Sequence, residues 1–307
     1  MFCVSARLIY VVMLLNRRSL IYRRSTALNS FMEDEKEQRI DQTVKVHTNL
    51  NVLVENYLQQ IQYVLDLVIF SFAGAELVTE NRYNDYSRFL NFQPSKSGRM
   101  DFTRARNEYE KWLVRNFLGE GINYTQVFLE ECRTICAIYS ISNRQIRGHE
   151  YNKAINEEKK KYHNYGLPKK LETLREKYSV YSDSESNILS LNKLRNCIVH
   201  RLGIVSERDV TEDDQLTIRM RCLGIFAKNP ETGEEIEVDK KTRVEKGWSI
   251  IGRSHEKSKS FKLNESVSLD YNEMTHCIYT FFFFAASMKE SITEFGKRLG
   301  IPFSESK

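Results

Sequence analysis

Glycine and proline are scarce in this chain, with 13 Gly and 4 Pro among its 307 residues. Folds with many β-turns need those residues, so their scarcity favours a helical architecture. The chain also lacks internal repeats, a phosphate-cradling glycine loop and a Walker-type lysine, which argues against repeat proteins and P-loop nucleotide binding. Its apolar runs, at residues 8–15 and around Phe281–Phe284, are too short to cross a bilayer. A membrane-spanning protein is therefore not expected.

The cysteines do not have the spacing of a disulfide framework, which indicates a reducing cytoplasm. Cys132 and Cys136 are one helical turn apart and could offer two metal ligands, but no nearby Cys or His pair completes a site. We interpret them as packed free thiols and predict no metal and no other cofactor. The net charge of +5 permits binding to a polyanion such as nucleic acid without requiring it.

The first 31 residues differ in character from the rest of the chain. They are apolar and then basic, with no acidic residue, and the basic residues follow the apolar run instead of preceding it as in a signal peptide. Met32 opens an acidic segment compatible with a helix. We therefore divide the chain into residues 1–31 and a domain at residues 32–307. Residues 1–31 either result from a misplaced start codon or act as a membrane-surface anchor.

Helical periodicity dominates that domain, which predicts a mainly α fold. Helices are predicted at residues 34–80, 102–118, 125–146, 171–181 and 271–299, with Gly119 and Gly121 ending the second. The segment 64–77 is apolar nearly all round, which places it deep in a bundle or in a subunit interface. Apolar residues at every second position predict a β-hairpin or small sheet at about 214–269, inserted before the last helix.

Two basic segments have alternative interpretations. Residues 159–170 interleave lysines with Tyr162, His163 and Tyr165, which suits either a nucleic-acid grip with base stacking or a solvated helix end. Glu130, Glu131 and Arg133 are predicted on the polar side of the preceding helix. The cations of residues 240–262 would suit a substrate-facing arm, but they would equally protect an exposed strand edge.

The clearest helix lies between Ser182 and Gly203. Ser182 and Glu185 have the spacing of a capping box, and Gly203 suits a left-handed helix end. An apolar stripe recurs every three or four residues and predicts one core-facing side. Its members are Ile188, Leu191, Leu194, Ile198 and Leu202.

The polar residues of this helix form a second pattern. Arg195 falls at the edge of the apolar stripe and needs an anionic neighbour, for which Asp66 is one candidate. His200 lies in the last turn, where the helix dipole favours an imidazolium. With Asn196 to orient the imidazole, these residue types could cleave a phosphodiester. Arg195 and His200 point roughly 140° apart, so they would converge best with a second copy across a two-fold axis.

The string Leu194-Arg195-Asn196 followed by Val199-His200 and Gly203 resembles the Arg-Asn-x-x-x-His signature of HEPN domains. Arg201 and Leu202 stand where many members carry a small polar pair. The resemblance implies a helical bundle and a metal-independent endoribonuclease, with Arg195, Asn196 and His200 as catalytic residues. It further implies a homodimer joined through this helix, and attack by the ribose 2′-hydroxyl that leaves a 2′,3′-cyclic phosphate.

We therefore predict a cytoplasmic HEPN-type endoribonuclease, a toxin or antiviral effector that cuts RNA and is paired with an antitoxin or regulatory partner. The alternative is a non-catalytic HEPN-like module that binds a partner protein or a nucleotide. In the structural interpretation, Arg195 is only one member of an ion pair and His200 only caps a helix. A peripheral membrane protein is a third hypothesis, and it depends on residues 1–31 alone.

Overall fold

The computed structural model describes residues 48–89, 100–142, 156, 159–210, 213–238, 242–244 and 246–303, which belong to one compact unit. Its helices are α1 (Leu50–Leu77), α2 (Glu80–Phe89), α3 (Phe102–Ser142), α4 (Leu167–Tyr178), α5 (Glu185–His200) and α6 (Tyr271–Arg298). The strands β1 (Gln215–Lys228), β2 (Glu235–Glu237) and β3 (Ser249–Lys262) lie between α5 and α6. The mainly α prediction and the position of the β insertion are confirmed.

Helix α3 corrects the prediction of two helices separated by glycines. It runs for 41 residues through both Gly119 and Gly121. Gly121 faces Phe281 of α6 so closely that an added Cβ atom would lie 2.7 Å from Phe281 Cζ. That glycine permits close packing of two helices and does not end one. Trp112 on α3 is 51% exposed.

The core is formed by side chains of α1, α3, α4, α5, β1 and α6. Helix α5 packs against β1, α3 and α6, and its residues Ile188, Leu191 and Leu194 are fully buried. Phe281 and Phe284 of the aromatic run in α6 are also fully buried. These contacts fix α5 at the centre of the unit, so both of its ends are held in position.

Helix α1 confirms the later part of the predicted first helix, and residues 34–47 lie outside the described part. Its core side carries Leu53, Tyr57 and Ile61. Its second half is not deep in the bundle, because Phe70 is 77% exposed and Leu77 is 74% exposed. The other possibility, that this segment forms a subunit interface, stays a prediction.

The sheet has the strand order β2-β1-β3 and is antiparallel throughout. β1 and β3 pair over their full length, from Gln215 opposite Lys262 to Lys228 opposite Ser249. Two helix hydroxyls bind the backbone of β1: Ser190 Oγ accepts from Arg219 N at 2.9 Å, and Thr280 Oγ1 accepts from Arg221 N at 2.8 Å. These bonds attach α5 and α6 directly to the sheet.

Within the described ranges, no single helix is long and apolar enough to cross a membrane. Helices α1 and α2 meet that test only as a pair, and the chain bends by 102° between them. Residues 1–47, which include the proposed start at Met32, lie outside the described part.

Candidate functional site

Helix α5 begins at Glu185, and the predicted capping box is wrong. Ser184 occupies the N-cap position without a side-chain hydrogen bond to the helix. The two predicted partners bind elsewhere: the Ser182 hydroxyl contacts Ser287 of α6, and the Glu185 carboxylate pairs with Arg175 of α4. Tertiary contacts therefore replace the local cap that the spacing predicted.

The other end of α5 leaves the helix through two left-handed residues. Leu202 has φ +54° and Gly203 has φ +76°, and Gly203 N donates to Cys197 O at 3.2 Å. Gly203 thus has the predicted left-handed conformation. Leu202, predicted in the core stripe, is 82% exposed because the helix has ended before it.

The chain after Gly203 is held against the turn that follows β3. Val205 N donates to Glu265 O at 3.0 Å, and Asn264 N donates to Val205 O at 2.9 Å. Val267 N donates to Gly203 O at 2.8 Å. The last turn of α5 is therefore fixed relative to the end of the sheet.

Arg195 and His200 lie in contact, which corrects the prediction that they point apart. Arg195 Nη1 is 3.4 Å from His200 Nε2 and donates to Asn196 Oδ1 at 3.0 Å. The long arginine side chain spans the angle between the two helix positions, an effect that the positions of the Cα atoms alone do not reveal. Convergence within one chain removes the geometric reason to require a second copy.

Asn196 binds Arg195 and not the imidazole it was expected to orient. Its Oδ1 atom accepts from the guanidinium, so it positions the cation. A guanidinium has no lone pair to offer, so in this contact His200 Nε2 must be the acceptor. A hydrogen bond in this contact requires the tautomer of neutral His200 that carries its proton on Nδ1.

The guanidinium of Arg195 is incompletely satisfied. Its Nε atom is buried and has no hydrogen-bond partner within the described part of the chain. Asp66 is not the anticipated partner, because it is exposed on α1 and accepts from Gln62 Nε2 at 2.7 Å. A buried donor without a partner destabilises by about 1–3 kcal/mol. Among the described residues, the fold therefore gives this donor no acceptor.

His200 is exposed and lines an open cleft of about 540 Å³. The cleft lies between the end of α5 and the turn after β3. Its other lining residues are Arg201, Ser206, Glu207, Arg208, Leu263 and Asn264. We did not predict Ser206, Arg208 or Asn264 from the sequence, because β3 and the loop after α5 come together only in the tertiary fold.

Arg201 on the cleft wall is held by a buried carboxylate. Its Nε donates to Asp209 Oδ2 at 2.6 Å, and Ser206 N and Oγ also donate to that oxygen, at 3.0 and 2.8 Å. Burial opposes ionisation of Asp209, but Arg201 and Ser206 outweigh it and lower the pKa of this carboxyl group. The spacing Ser206-x-x-Asp209 was the signal in the sequence that could have indicated this tight turn. Arg201 therefore has a buried carboxylate partner.

The basic and aromatic segment does not form a stacking surface around Tyr162. Tyr162 is 2% exposed, and its hydroxyl donates to Lys170 O at 2.9 Å. Lys170, also 2% exposed, pairs with Glu130, whose carboxylate is 3.1 Å from His163 Nδ1. Arg133, predicted on a polar face, is buried with its guanidinium 5.3 Å from the Tyr162 ring centre. Tyr162 and Lys170 thus join α3 to the start of α4.

The cysteines of α3 are buried thiols. Burial raises the pKa of Cys136 to about 12 and raises that of Cys132 as well. The interpretation as packed free thiols agrees with this environment. Within the described part of the chain, no group of three or more His, Cys, Asp or Glu side chains could hold a metal ion.

No protein-family model, no curated protein and no solved structure matches this chain. The interpretation of the site therefore depends on its own geometry. That geometry consists of an arginine without a carboxylate partner among the described residues, an exposed histidine in contact with it, and an open cleft that the histidine lines.

Proposed function

We propose that this protein is a metal-independent endoribonuclease of the HEPN type. The observation that carries the proposal is the contact between Arg195 and His200 at the end of α5, where the buried guanidinium Nε has no partner among the described residues. An RNA phosphate is the anion that this site would receive. Arginine suits such a group because its planar donors match phosphate oxygens.

In the proposed reaction, His200 Nε2 takes the proton of a ribose 2′-hydroxyl. The 2′-oxygen then forms a bond to the adjacent phosphorus, and the bond from phosphorus to the 5′-oxygen breaks. The 5′-oxygen takes up a proton from water and His200 returns its proton to the solvent, which leaves a 2′,3′-cyclic phosphate and a 5′-hydroxyl. Arg195 binds the phosphate and stabilises the charge that develops on it, a contribution of about 3 kcal/mol to the transition state.

Substrate binding must exchange the partners of Arg195. A charged acceptor forms a stronger hydrogen bond with a guanidinium than a neutral one does. The phosphate therefore displaces the imidazole, and His200 Nε2 becomes free to take a proton. Asn196 keeps its bond to Nη1 and holds the guanidinium in position.

The wider biological setting is part of the proposal. We propose a toxin or antiviral effector in a reducing cytoplasm, with an antitoxin or other regulatory partner that controls it. We also propose a homodimer through α5, whose residues Lys193 and His200 are exposed on one side. One chain already brings Arg195 and His200 together without a second copy.

The proposal is tested by incubating purified protein with RNA in the presence of EDTA. The wild-type chain is expected to cut, and His200→Ala is expected to lose about 10²–10⁴-fold in rate, the usual contribution of acid-base catalysis. The matched control is His163→Ala, since His163 is also exposed and contacts a carboxylate away from the cleft. The control is expected to cut at the wild-type rate.

The opposite pattern would favour the non-catalytic alternative. If Arg195→Ala lowers stability and no folded variant or wild-type protein cuts RNA, the motif has a structural or binding role. Equal cleavage by wild type and His200→Ala would exclude His200 from the chemistry.

A further inference from the structure

The paired strands β1 and β3 form a ribbon with a strong excess of positive charge. Its carboxylate is Glu256, which accepts from Asn187 Nδ2 at 2.8 Å. Its cations are Arg219, Arg221, Lys228, Arg253, Lys257, Lys259 and Lys262. Such a ribbon attracts polyanions, and the attraction falls with ionic strength.

Some of these cations pair with acidic side chains, either on β2 or on α6. Lys228 and Arg253 both pair with Glu235, and Lys259 pairs with Glu273. Arg219 and Lys262 differ: both side chains are exposed, and neither forms an ion pair within the described part of the chain.

Those two cations lie on one face of the ribbon. Residues directly opposite in an antiparallel pair share a face, and successive residues alternate between faces. Leu216, Ile218 and Met220 point into the core. Arg221 and Glu256 also lie on the opposite face, and the part of that face between them and the end of α5 carries cationic, hydroxyl and amide side chains. We call it the basic face, and it consists of Gln215, Thr217, Arg219, Ser258, Ser260 and Lys262.

The basic face leads directly into the cleft beside His200. β3 ends at Lys262, and the next two residues, Leu263 and Asn264, line that cleft. At about 3.3 Å per residue, Ser258 lies about 13 Å from Lys262 along the strand. A chain bound at His200 can therefore continue along this face.

We infer that the basic face binds the sugar-phosphate backbone of the RNA strand whose cleaved linkage lies at His200. This inference rests on the proposed function and extends it to the substrate. Arginine, lysine, serine and threonine are the side chains that contact phosphate oxygens. The basic face has no aromatic side chain to stack on bases, so it binds RNA with little dependence on sequence.

The test measures binding of wild-type protein to a fluorescent 2′-O-methyl RNA, which lacks the attacking hydroxyl, by anisotropy at several salt concentrations. The double variant Arg219→Ser/Lys262→Ser is expected to raise Kd at least tenfold. Each lost phosphate contact lowers the slope of log affinity against log salt by about 0.7, so the slope should fall by about 1.4. Arg219→Lys/Lys262→Arg keeps the charges and should retain binding.

The matched control is Arg88→Ser/Lys169→Ser, which removes two exposed cations elsewhere and changes the net charge equally. Equal Kd and slope for the basic-face and control variants would overturn the inference. Thermal unfolding of each variant confirms that it is folded.

Cleavage separates this inference from the proposed function. The basic-face variant is expected to raise KM for a long RNA and to leave kcat unchanged, because it removes phosphate contacts and none of the reacting groups. If the wild type fails to cut RNA in EDTA, the proposed function fails, while the anisotropy result still decides RNA binding. If the wild type cuts and the basic-face variant matches the control in both assays, only the inference about the basic face fails.

Discussion

Two polar clusters in this molecule contain a histidine in contact with a cationic or anionic side chain, and they differ in whether their charges are balanced. In the cluster on α3, the Glu130 carboxylate contacts both Lys170 and His163. In the cluster on α5, Arg195 contacts Asn196 and His200 and retains a buried, unpaired Nε. The first cluster is complete within the chain. The second leaves one donor without an acceptor among the described residues, which distinguishes a candidate site from a structural ion pair.

The largest expected effect tests the balanced cluster. Lys170→Met leaves the Glu130 carboxylate without its buried cation, and breaking a buried pair destabilises by about 3–5 kcal/mol. Urea unfolding measures this loss. Lys169→Met is the matched control, because Lys169 is exposed and pairs with Glu172 on the surface. The free energy of unfolding of this control variant should stay unchanged. Equal stability of the two variants would show that the Glu130 pair does not hold α3 and α4 together.

Arg195→Ala tests the unbalanced cluster, and here the rate of RNA cleavage is expected to change more than the stability. Loss of the phosphate-binding cation should lower kcat/KM for RNA by about 10²–10³-fold. Its free energy of unfolding should change by less than about 1 kcal/mol, because the substitution also removes an unsatisfied buried donor. Arg195→Lys keeps the charge but loses the planar donors, so an intermediate rate is expected. A large loss of stability with normal cleavage would place Arg195 with the structural ion pairs.

The Arg201–Asp209 pair should make stability depend on acid pH. The folded protein lowers the pKa of Asp209, so this stabilisation is fully present above the ordinary carboxyl pKa of about 4. This stabilisation is lost as the pH falls below 4 and passes through the lower pKa that Asp209 has in the folded protein. The stability difference between wild type and Asp209→Asn should therefore be about 1.5–3 kcal/mol at pH 7 and should shrink below pH 4. A difference that is constant from pH 7 to pH 2 would contradict this assignment.

The smallest expected effect distinguishes the two glycines of α3. Gly121→Ala forces a methyl group against Phe281, so it should destabilise by about 1 kcal/mol after the gain in helix propensity. An added Cβ at Gly119 meets nothing within 4 Å, so Gly119→Ala should stabilise by about 0.5–1 kcal/mol. Thermal unfolding measures both. A change in stability of the same sign for both variants would contradict the close packing of α3 and α6.

Periodicity and composition predicted the helices, the inserted sheet and the core side of α5 because these depend on local spacing. They did not predict the path of α3 through Gly121, which is determined by Phe281 of another helix. The capping box failed because Arg175 and Ser287, distant in sequence, bind its two side chains.

The motif identified Arg195, Asn196 and His200 as candidates, but helix geometry alone placed Arg195 and His200 apart. The length and flexibility of the arginine side chain bring them to 3.4 Å. The cleft wall from Leu263 and Asn264 could not be predicted, since it forms only when the end of β3 packs beside α5.

The chemistry of the RNA ends tests the central claim most directly. RNA cut in EDTA by the full-length wild-type chain, analysed by mass spectrometry, is predicted to carry 2′,3′-cyclic phosphate and 5′-hydroxyl ends. RNA with a 2′-deoxy residue at the cleaved position should resist. Intact RNA after incubation with folded protein, or products ending in 3′-hydroxyl and 5′-phosphate, would contradict the role assigned to Arg195 and His200.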